Sequence, residues 1–264
     1  MERTYWHKQS AQQALFPDLT WSRPENKASA GKLLIIGGNQ YGFVAPSEAF
    51  KAAEVAGAGT VRMILPDSLK QFVGPVFEAG SLVPSTASGS FSKAALGEWT
   101  DQSAWADGVL LAGDFGRNSE TAALLESFLS KHVGQVTITQ DAADYILSQP
   151  ELVLNRPNTS LVITLAQLQK IASGAKFEKA FTLGMDLMHV AENLHEFTLR
   201  FPVNIITKQH DQLVVGLNGQ ISTTKLRQDK DRWRVQTAAH TSVWWLQNPA
   251  KPFEALTTAI HEVL

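Results

Sequence analysis

Short apolar runs alternate with segments of helical periodicity along the body of the chain. The first run, KLLIIGG at 32–38, predicts a strand buried on both faces, because a parallel strand between two helical layers needs a continuous apolar sequence. Residues 46–59, PSEAFKAAEVAGAG, predict a helix with proline at its start, apolar residues three and four positions apart, and glycine at its end. A second strand, TVRMIL at 60–65, follows directly.

The same alternation continues toward the C-terminus. Further strands are predicted at 108–113, 135–139, 160–164 and 203–207, and a helix at 120–132. Strands that alternate with helices indicate a mainly parallel sheet with helices on both faces, which is a three-layer α/β/α fold. Right-handed crossovers place the carboxyl ends of such strands along one edge, where ligands usually bind.

Two segments depart from the alternation. In QLVVGLNGQISTT, two short strands flank Asn218-Gly219, the pair favoured in a tight hairpin turn, so we expect a late antiparallel β-hairpin. The first thirty residues are polar and punctuated by proline and glycine, which predicts an N-terminal arm or entry helix over residues 1–31. No repeat or linker divides the sequence, so we expect one domain over residues 1–264.

Composition narrows the class of protein. The 264 residues are 44% hydrophobic and 18% charged, which is enough apolar material for a sizeable core. A net charge of −2 disfavours binding to nucleic acid or to an anionic membrane surface. The absence of cysteine excludes disulfides, thiolate catalysis and cysteine-based metal sites. The opening sequence lacks the apolar run of a signal peptide, so we expect a soluble cytoplasmic protein.

The glycine-bearing segment GGNQYG follows the first strand, where phosphate-binding loops are found. It does not match G-x-x-x-x-G-K-[ST], and its adjacent first glycines do not fit G-x-G-x-x-G. A plain strand-to-helix turn and a ligand-facing loop both remain open on the local pattern. The chain also has no G-x-S-x-G nucleophile elbow.

Two other features are better explained by a structural role than by metal or ligand binding. Glu192-x-x-His195 is half of a di-iron pattern, but such sites need two copies, so we expect a solvated helix face and no metal site. The tryptophans near the C-terminus, Trp233, Trp244 and Trp245, are expected in the core or at a subunit interface rather than on a ligand. The residues alone thus predict an α/β domain that binds a nucleotide or another small molecule.

Several glycine-bearing segments, in order, resemble the carbohydrate-kinase-related domain of the ADP/ATP-dependent NAD(P)H-hydrate dehydratases, within the ribokinase-like superfamily. In residues 32–66, Gly37-Gly38-Asn39 stands for the family's G-G-S, Ala45 for the alanine of its Tyr-Thr-Gly-Ala turn, and Gly57-Ala58-Gly59 for its G-A-G. The segment ADGVLLAGDFGR resembles D-x-x-x-I-G-P-G-L-G-R and retains Gly116 and Arg117.

Two later segments continue the resemblance, which covers most of residues 22–247. TITQDAADYIL is similar to the family's D-A-D-A-L strand end, with Thr139 and Asp141 at the aspartate positions. NIITKQHDQLVV is similar to the strand that runs into Lys-Gly-Ala-Gly-Thr, and it retains Lys208 before a hairpin. The resemblance implies a ribokinase-like fold that uses ATP or ADP with Mg²⁺ to dehydrate hydrated NADH or NADPH.

The departures from the family fall on its chemistry. The family's Thr-Pro-His-Pro-Gly-Glu is represented only by Thr164-Leu165-Ala166-Gln167. The G-[ST]-G-D signature aligns with residues 237–245, which places Ser242 at the position of the family's catalytic aspartate. Serine lacks the charge and basicity for that role. The resemblance further implies that substrate is bound by Ala45, Gly116 and Asp141, and nucleotide by Lys208, Gln209, His210 and Thr241.

Three functions follow from this pattern. The first is a divergent dehydratase, which needs a substitute base, for which the candidates are Asp114, Asp141 and His240. The second is a pseudoenzyme that binds a nucleotide, or serves as a structural or regulatory partner, without turnover. The third is another ribokinase-like small-molecule kinase, such as one acting on a vitamin alcohol. Family members commonly form homo-oligomers, so the resemblance also implies a homo-oligomer.

Overall fold

A computed structural model describes residues 4–10, 12–73, 78–226 and 233–263. The strands are β1 (Trp6–Gln9), β2 (Lys32–Gly37), β3 (Thr60–Pro66), β4 (Gly80–Val83), β5 (Gly108–Gly113), β6 (Gln135–Thr139), β7 (Thr159–Val162), β8 (Asn204–Gln209), β9 (Gln212–Leu217) and β10 (Gln220–Lys225). The α-helices are α1 (Pro17–Trp21), α2 (Val44–Val55), α3 (Lys70–Val73), α4 (Leu96–Trp105), α5 (Ser119–Lys131), α6 (Ala142–Tyr145), α7 (Glu151–Leu154), α8 (Leu165–Gly174), α9 (Leu187–Arg200), α10 (Trp233–Gln247) and α11 (Pro252–Val263).

All of these strands join one ten-stranded sheet in the order β1-β10-β9-β8-β7-β6-β5-β2-β3-β4. Strand β9 runs antiparallel to β8 and β10, and the other described pairings are parallel. The carboxyl ends of β2, β5, β6, β7 and β8 therefore open at the same edge of the sheet. We call this side the carboxyl edge.

Helices cover both faces of the sheet, which confirms the predicted three-layer α/β/α fold. One buried apolar cluster joins the sheet to α4, α5, α8 and α9, and includes Trp99, Phe128 and Phe197. A second cluster joins the opposite face to α2, α10 and α11. Trp233, Trp244 and Trp245 of α10 are at most 9% exposed, which confirms that these rings belong to the core.

The predicted hairpin is present as β9 and β10. Asn218 and Gly219 connect the two strands with φ angles of 47° and 75°, the left-handed conformation that a tight type I′ turn requires at both positions. His195 of α9 donates from Nδ1 to the Gly219 carbonyl, and its ring stacks on Tyr5 at 3.7 Å. His195 of the Glu192-x-x-His195 pair therefore supports the hairpin turn.

The N-terminal segment contributes a strand as well as a short helix. Strand β1 pairs in parallel with β10, with Trp6 opposite Ile221. The Gln9 side chain fixes this edge, because it donates to Thr224 Oγ1 at 3.0 Å and to the Thr257 carbonyl at 2.9 Å. The described part of this segment thus adds an edge strand, β1, to the sheet. Across the described ranges, no helix has the length and apolarity needed to span a membrane.

Candidate functional site

Hydrogen bonds join the loops that follow β2 and β5 at the carboxyl edge. The carboxylate of Asp114 accepts the Ala45 N–H at 2.7 Å, and the Asn39 side chain donates to the Asp114 carbonyl at 2.5 Å. Asp114 has a φ of 60°, which is uncommon for a residue other than glycine. Ala45 lies in the first turn of α2, so the protein's own carboxylate occupies a helix N-terminus that would otherwise attract a ligand anion.

Asp141 follows β6 and faces the same edge. One carboxylate oxygen accepts the Gly116 N–H at 3.0 Å, and the other is buried with no hydrogen-bond partner among the described residues. Burial raises the pKa of Asp141, and the neighbouring carboxylates of Asp114 and Asp144 raise it further. Two predicted substrate-binding residues, Gly116 and Asp141, are thus in direct contact.

A cleft of about 790 Å³ opens beside this carboxyl group. Its walls include Gly116, Arg117, Asn118, Asp144, Tyr145 and Lys170. Asn118 caps helix α5 by accepting the N–H groups of the second and third helical residues. The volume lies within the usual range for small-molecule sites.

Tyr145 fixes the loop that forms one wall of the cleft. Its hydroxyl donates to the Gly116 carbonyl at 2.7 Å and accepts the Asn118 N–H at 3.1 Å. Burial raises the pKa of Tyr145, so its hydroxyl keeps its proton at neutral pH and can continue to donate. One side chain therefore holds both ends of the Gly116–Asn118 turn.

Gln167 links three elements on the other side of Asp141. It forms a capping box with Thr164 at the start of α8. Its amide donates to the Gln140 carbonyl at 2.9 Å and to Asp144 Oδ1 at 2.8 Å, and its oxygen accepts a longer bond of 3.4 Å from Arg234. A polar network therefore occupies the segment that aligns with the family's Thr-Pro-His-Pro-Gly-Glu.

The predicted nucleotide-binding residues at the end of β8 reach the carboxyl edge. Lys208 and Gln209 are the last residues of β8, and His210 follows in the exposed turn with a φ of 51°. The Gln209 side chain is buried and donates to the Met185 carbonyl, so it holds the loop that precedes α9. Lys208 and His210 are the basic side chains of this group at the carboxyl edge.

Ser242 and Thr241 do not lie at the carboxyl edge. Ser242 is the tenth residue of α10 and is fully buried, and its hydroxyl oxygen lies within hydrogen-bond distance, 2.7 Å, of both Thr137 Oγ1 and the Ala238 carbonyl. Thr241 is equally buried and donates to the Thr237 carbonyl within the helix. The expected catalytic and phosphate-binding roles need a helix N-terminus, whereas these residues lie in the helix interior against the middle of β6.

His240 shares this position within α10. It is 9% exposed and lies in a groove formed with residues of α2 and α11, including Lys51 and Glu262. Of the three candidate bases, Asp114 already binds the Ala45 N–H and His240 lies between helices. Of the three, Asp141 is the one that borders the cleft, and one of its carboxylate oxygens is buried without a hydrogen-bond partner among the described residues.

Sequence reasoning missed four residues of the cleft and its border. Asp144 and Tyr145 follow Asp141 on the short helix α6, and Gln167 and Arg234 meet at the starts of α8 and α10. The Thr164-x-x-Gln167 spacing is a capping-box pattern that could have identified Gln167. Within the described ranges, no three His, Asp or Glu side chains converge as a cation site.

Comparisons with known proteins show the fold. No protein-family model and no curated protein sequence matches the chain. A ribokinase-like superfamily protein from Enterococcus faecalis matches with a TM-score of 0.71 and 15% identity, over 99% of this chain and 87% of the other. A hypothetical protein from Streptococcus mutans matches with a TM-score of 0.71 and 14% identity, over 95% and 88% of the two chains.

The ADP/ATP-dependent NAD(P)H-hydrate dehydratase of Bacillus subtilis, co-crystallised with ATP and Mg²⁺, is a more distant structural neighbour. It matches with a TM-score of 0.58 and 12% identity, over 90% of this chain and 80% of the other. The three-layer architecture and these neighbours together establish a ribokinase-like fold.

Proposed function

We propose that this protein is a divergent relative of the ADP/ATP-dependent NAD(P)H-hydrate dehydratases, which binds an adenine nucleotide with Mg²⁺ and acts on hydrated NADH or NADPH. One observation carries the proposal: Asp141 borders a cleft at the carboxyl edge with a buried oxygen that lacks a partner. A buried carboxyl group with a raised pKa beside a cleft is typical of a group that takes up a proton during catalysis.

Asp141 is the proposed base, since neither Asp114 nor His240 is available at the cleft. Its proposed task is to accept the proton of the substrate hydroxyl, which a carboxylate with a raised pKa does more readily than an ordinary one. Gly113 assists by having no side chain, because a Cβ there would lie 3.2 Å from the unpartnered oxygen. Tyr145 is a positioning residue, since it holds the loop that donates the Gly116 N–H to Asp141.

The nucleotide is proposed to lie farther along the same edge. Lys208 and His210 at the end of β8 and Arg234 at the start of α10 supply basic side chains suited to phosphate. Magnesium usually binds phosphate oxygens together with one or two carboxylates, and Asp144 is the carboxylate proposed here. The dehydratase neighbour crystallised with ATP and Mg²⁺ supports this choice of nucleotide.

Two measurements test the proposal. Thermal-shift titrations with ATP, ADP, AMP and NADPH, with and without Mg²⁺, detect binding because a ligand of the native state raises the melting temperature. Recovery of NADPH absorbance from hydrated NADPH then measures turnover. We expect Asp141→Asn to lower the rate by about 10²–10⁴-fold while nucleotide binding is retained.

Asp101→Asn is the matched control, because Asp101 is an exposed aspartate on α4. It should change neither binding nor turnover. No thermal shift at millimolar nucleotide would contradict the proposal, and so would equal rates for the wild type and Asp141→Asn.

The second candidate is a pseudoenzyme that binds the nucleotide without turnover. It is favoured by the position of Ser242, because the residues aligned with the catalytic signature are buried within α10. A saturable thermal shift without recovery of NADPH would support this candidate. Nucleotide-dependent phosphorylation of a vitamin alcohol would instead support the third candidate, a small-molecule kinase.

We also propose that the protein forms a homo-oligomer, as the family resemblance implies. Sedimentation should then give a multiple of the 28.9 kDa chain mass. A single 28.9 kDa species at micromolar concentration would contradict this assembly.

A further inference from the structure

A row of polar side chains crosses three neighbouring strands beneath α10. Thr137 of β6 pairs with Ser160 of β7, and Ser160 pairs with Asn204 of β8. Residues paired in register point their side chains to the same face of a sheet. Because the Thr137 hydroxyl contacts Ser242 of α10 at 2.7 Å, this face is the one that α10 covers. We call Thr137, Ser160 and Asn204 the polar row.

The second and third members of the polar row lie in an otherwise apolar interior. Val162 and Ile206 follow Ser160 and Asn204 by two positions, so they share the same face, and both belong to the apolar cluster that joins the sheet to α2, α10 and α11. Ser160 and Asn204 are at most 1% exposed. Neither residue borders the cleft beside Asp141 or the groove between α2, α10 and α11. The pair is therefore separate from the sites described above.

Three polar atoms of this pair have no hydrogen-bond partner among the described residues. They are Ser160 Oγ and the Oδ1 and Nδ2 atoms of Asn204. An unpaired polar atom in the interior lowers the folding equilibrium constant by about 5- to 150-fold. Three such losses together would amount to much of the stability of an ordinary domain. These groups therefore require a further polar partner.

We propose that a buried water molecule bridges Ser160 Oγ and the side-chain amide of Asn204. Neighbouring strands lie about 4.8 Å apart, and a water with two hydrogen bonds of about 2.8 Å spans up to about 5.6 Å, so one molecule fits between the two side chains. Water both donates and accepts, so it can pair with the hydroxyl and with either atom of the amide. Buried waters typically make about three hydrogen bonds to groups that are otherwise unpaired.

The water site gives the residues beneath α10 a structural role. Ser242 contacts the polar row at Thr137, so the position aligned with the family's catalytic signature belongs to this row instead. With the water bound, the row is a satisfied polar network, and such networks fix one packing of a core. The inference is independent of the proposed function, because it involves neither the carboxyl edge nor a nucleotide.

A crystal structure of the wild type locates the water directly. We expect a density peak within about 3.2 Å of both Ser160 Oγ and one amide atom of Asn204. A direct hydrogen bond between the two side chains, with no such peak, would overturn the proposal. So would an Asn204 amide that pairs with backbone groups and leaves no room for water.

Magnetic relaxation dispersion of the water oxygen counts long-lived buried waters in solution. Asn204→Leu removes the amide at similar volume, so it should lower the count by about one. Asn193→Leu is the matched control, because the buried Asn193 amide donates to the Ala180 carbonyl at 2.9 Å. It should leave the count unchanged. An equal count for the wild type and Asn204→Leu would contradict the water site.

A double-mutant cycle tests whether the two side chains share one water. Ser160→Ala and Asn204→Leu should combine non-additively, by about three- to ten-fold in the unfolding equilibrium constant from urea denaturation, because either change removes a partner of the same molecule. Additive effects would contradict the bridge. If Asn204→Leu fails to fold by circular dichroism, the density between the two side chains of the wild type decides the proposal alone.

Discussion

Placing an aspartate at position 242 distinguishes the family alignment from the structure. If Ser242 occupied a catalytic position at a helix N-terminus, Ser242→Asp would restore a missing base. In the structure, Ser242 is fully buried in the interior of α10, and its partners Thr137 and Ala238 are uncharged. The same substitution should therefore destabilise the protein and restore no activity.

The size of the loss follows from the cost of keeping the new carboxyl group neutral. A buried carboxylate without a counter-charge takes up a proton, which costs about 1.4 kcal/mol for each pH unit above the normal aspartate pKa of about 3.9. The penalty is about 4 kcal/mol at pH 7 and about 1.5 kcal/mol at pH 5. Its sign follows from the raised pKa in the folded state, which makes the variant less stable as the pH rises.

Ser242→Asn is the matched control, because asparagine has nearly the shape of aspartate and no charge. Both variants bear the cost of overpacking, about 1–3 kcal/mol, so their difference isolates the charge. Urea denaturation at each pH measures it, and the buried rings of Trp244 and Trp245 report unfolding by fluorescence. Equal stability of the two variants at pH 7, or nucleotide-dependent turnover gained by Ser242→Asp, would refute this placement of α10.

Three further substitutions test the carboxyl edge. Gln167→Ala should lower the free energy of unfolding, measured by urea denaturation, by about 2–3 kcal/mol, because the capping box and two further hydrogen bonds are lost. The control Gln169→Ala on the same helix should lower it by less than about 1 kcal/mol. Gly113→Ala should cost more than about 2 kcal/mol, since φ is 110° and the added Cβ would lie 2.5 Å from a side chain of the loop after β6. Gly97→Ala, where nothing lies within 4 Å of the added Cβ, should be neutral or stabilising in the same assay. Asp141→Asn should raise the melting temperature at pH 7, because the folded wild type holds the aspartate proton more tightly than the unfolded chain does. This gain in melting temperature should vanish below about pH 4, where the aspartate is protonated in both states. An equal gain at both pH values would contradict the prediction.

The central strands could be predicted from sequence because their local pattern and their tertiary position agree. The run at 32–38 is apolar throughout, and β2 is buried from its second residue onward. Strands β1 and β4 have only four residues each and no strong pattern. They form strands because β1 pairs with β10 and β4 pairs with β3, and a local sequence pattern cannot reveal such pairing.

The candidate site was predictable in part for a related reason. Asp141 and Gly116 follow strands, so their place at the carboxyl edge follows from the order of elements. The alignment with the family signature gave Ser242 its expected role, whereas packing of α10 against β6 makes Thr237 to Ser242 helix interior, which a local pattern does not reveal. The Gln167 network joins α8, α10 and the loop after β6, so it requires knowledge of strand order.

The pairing of β1 with β10 makes the sheet dependent on nearly the whole chain. Trp6 lies opposite Ile221, so the outermost strand cannot dock until more than two hundred later residues have been synthesised. During translation, Tyr5 and Trp6 therefore lack their native partners until these later residues have been made. A bulky tag fused before Trp6 should therefore slow completion of this edge.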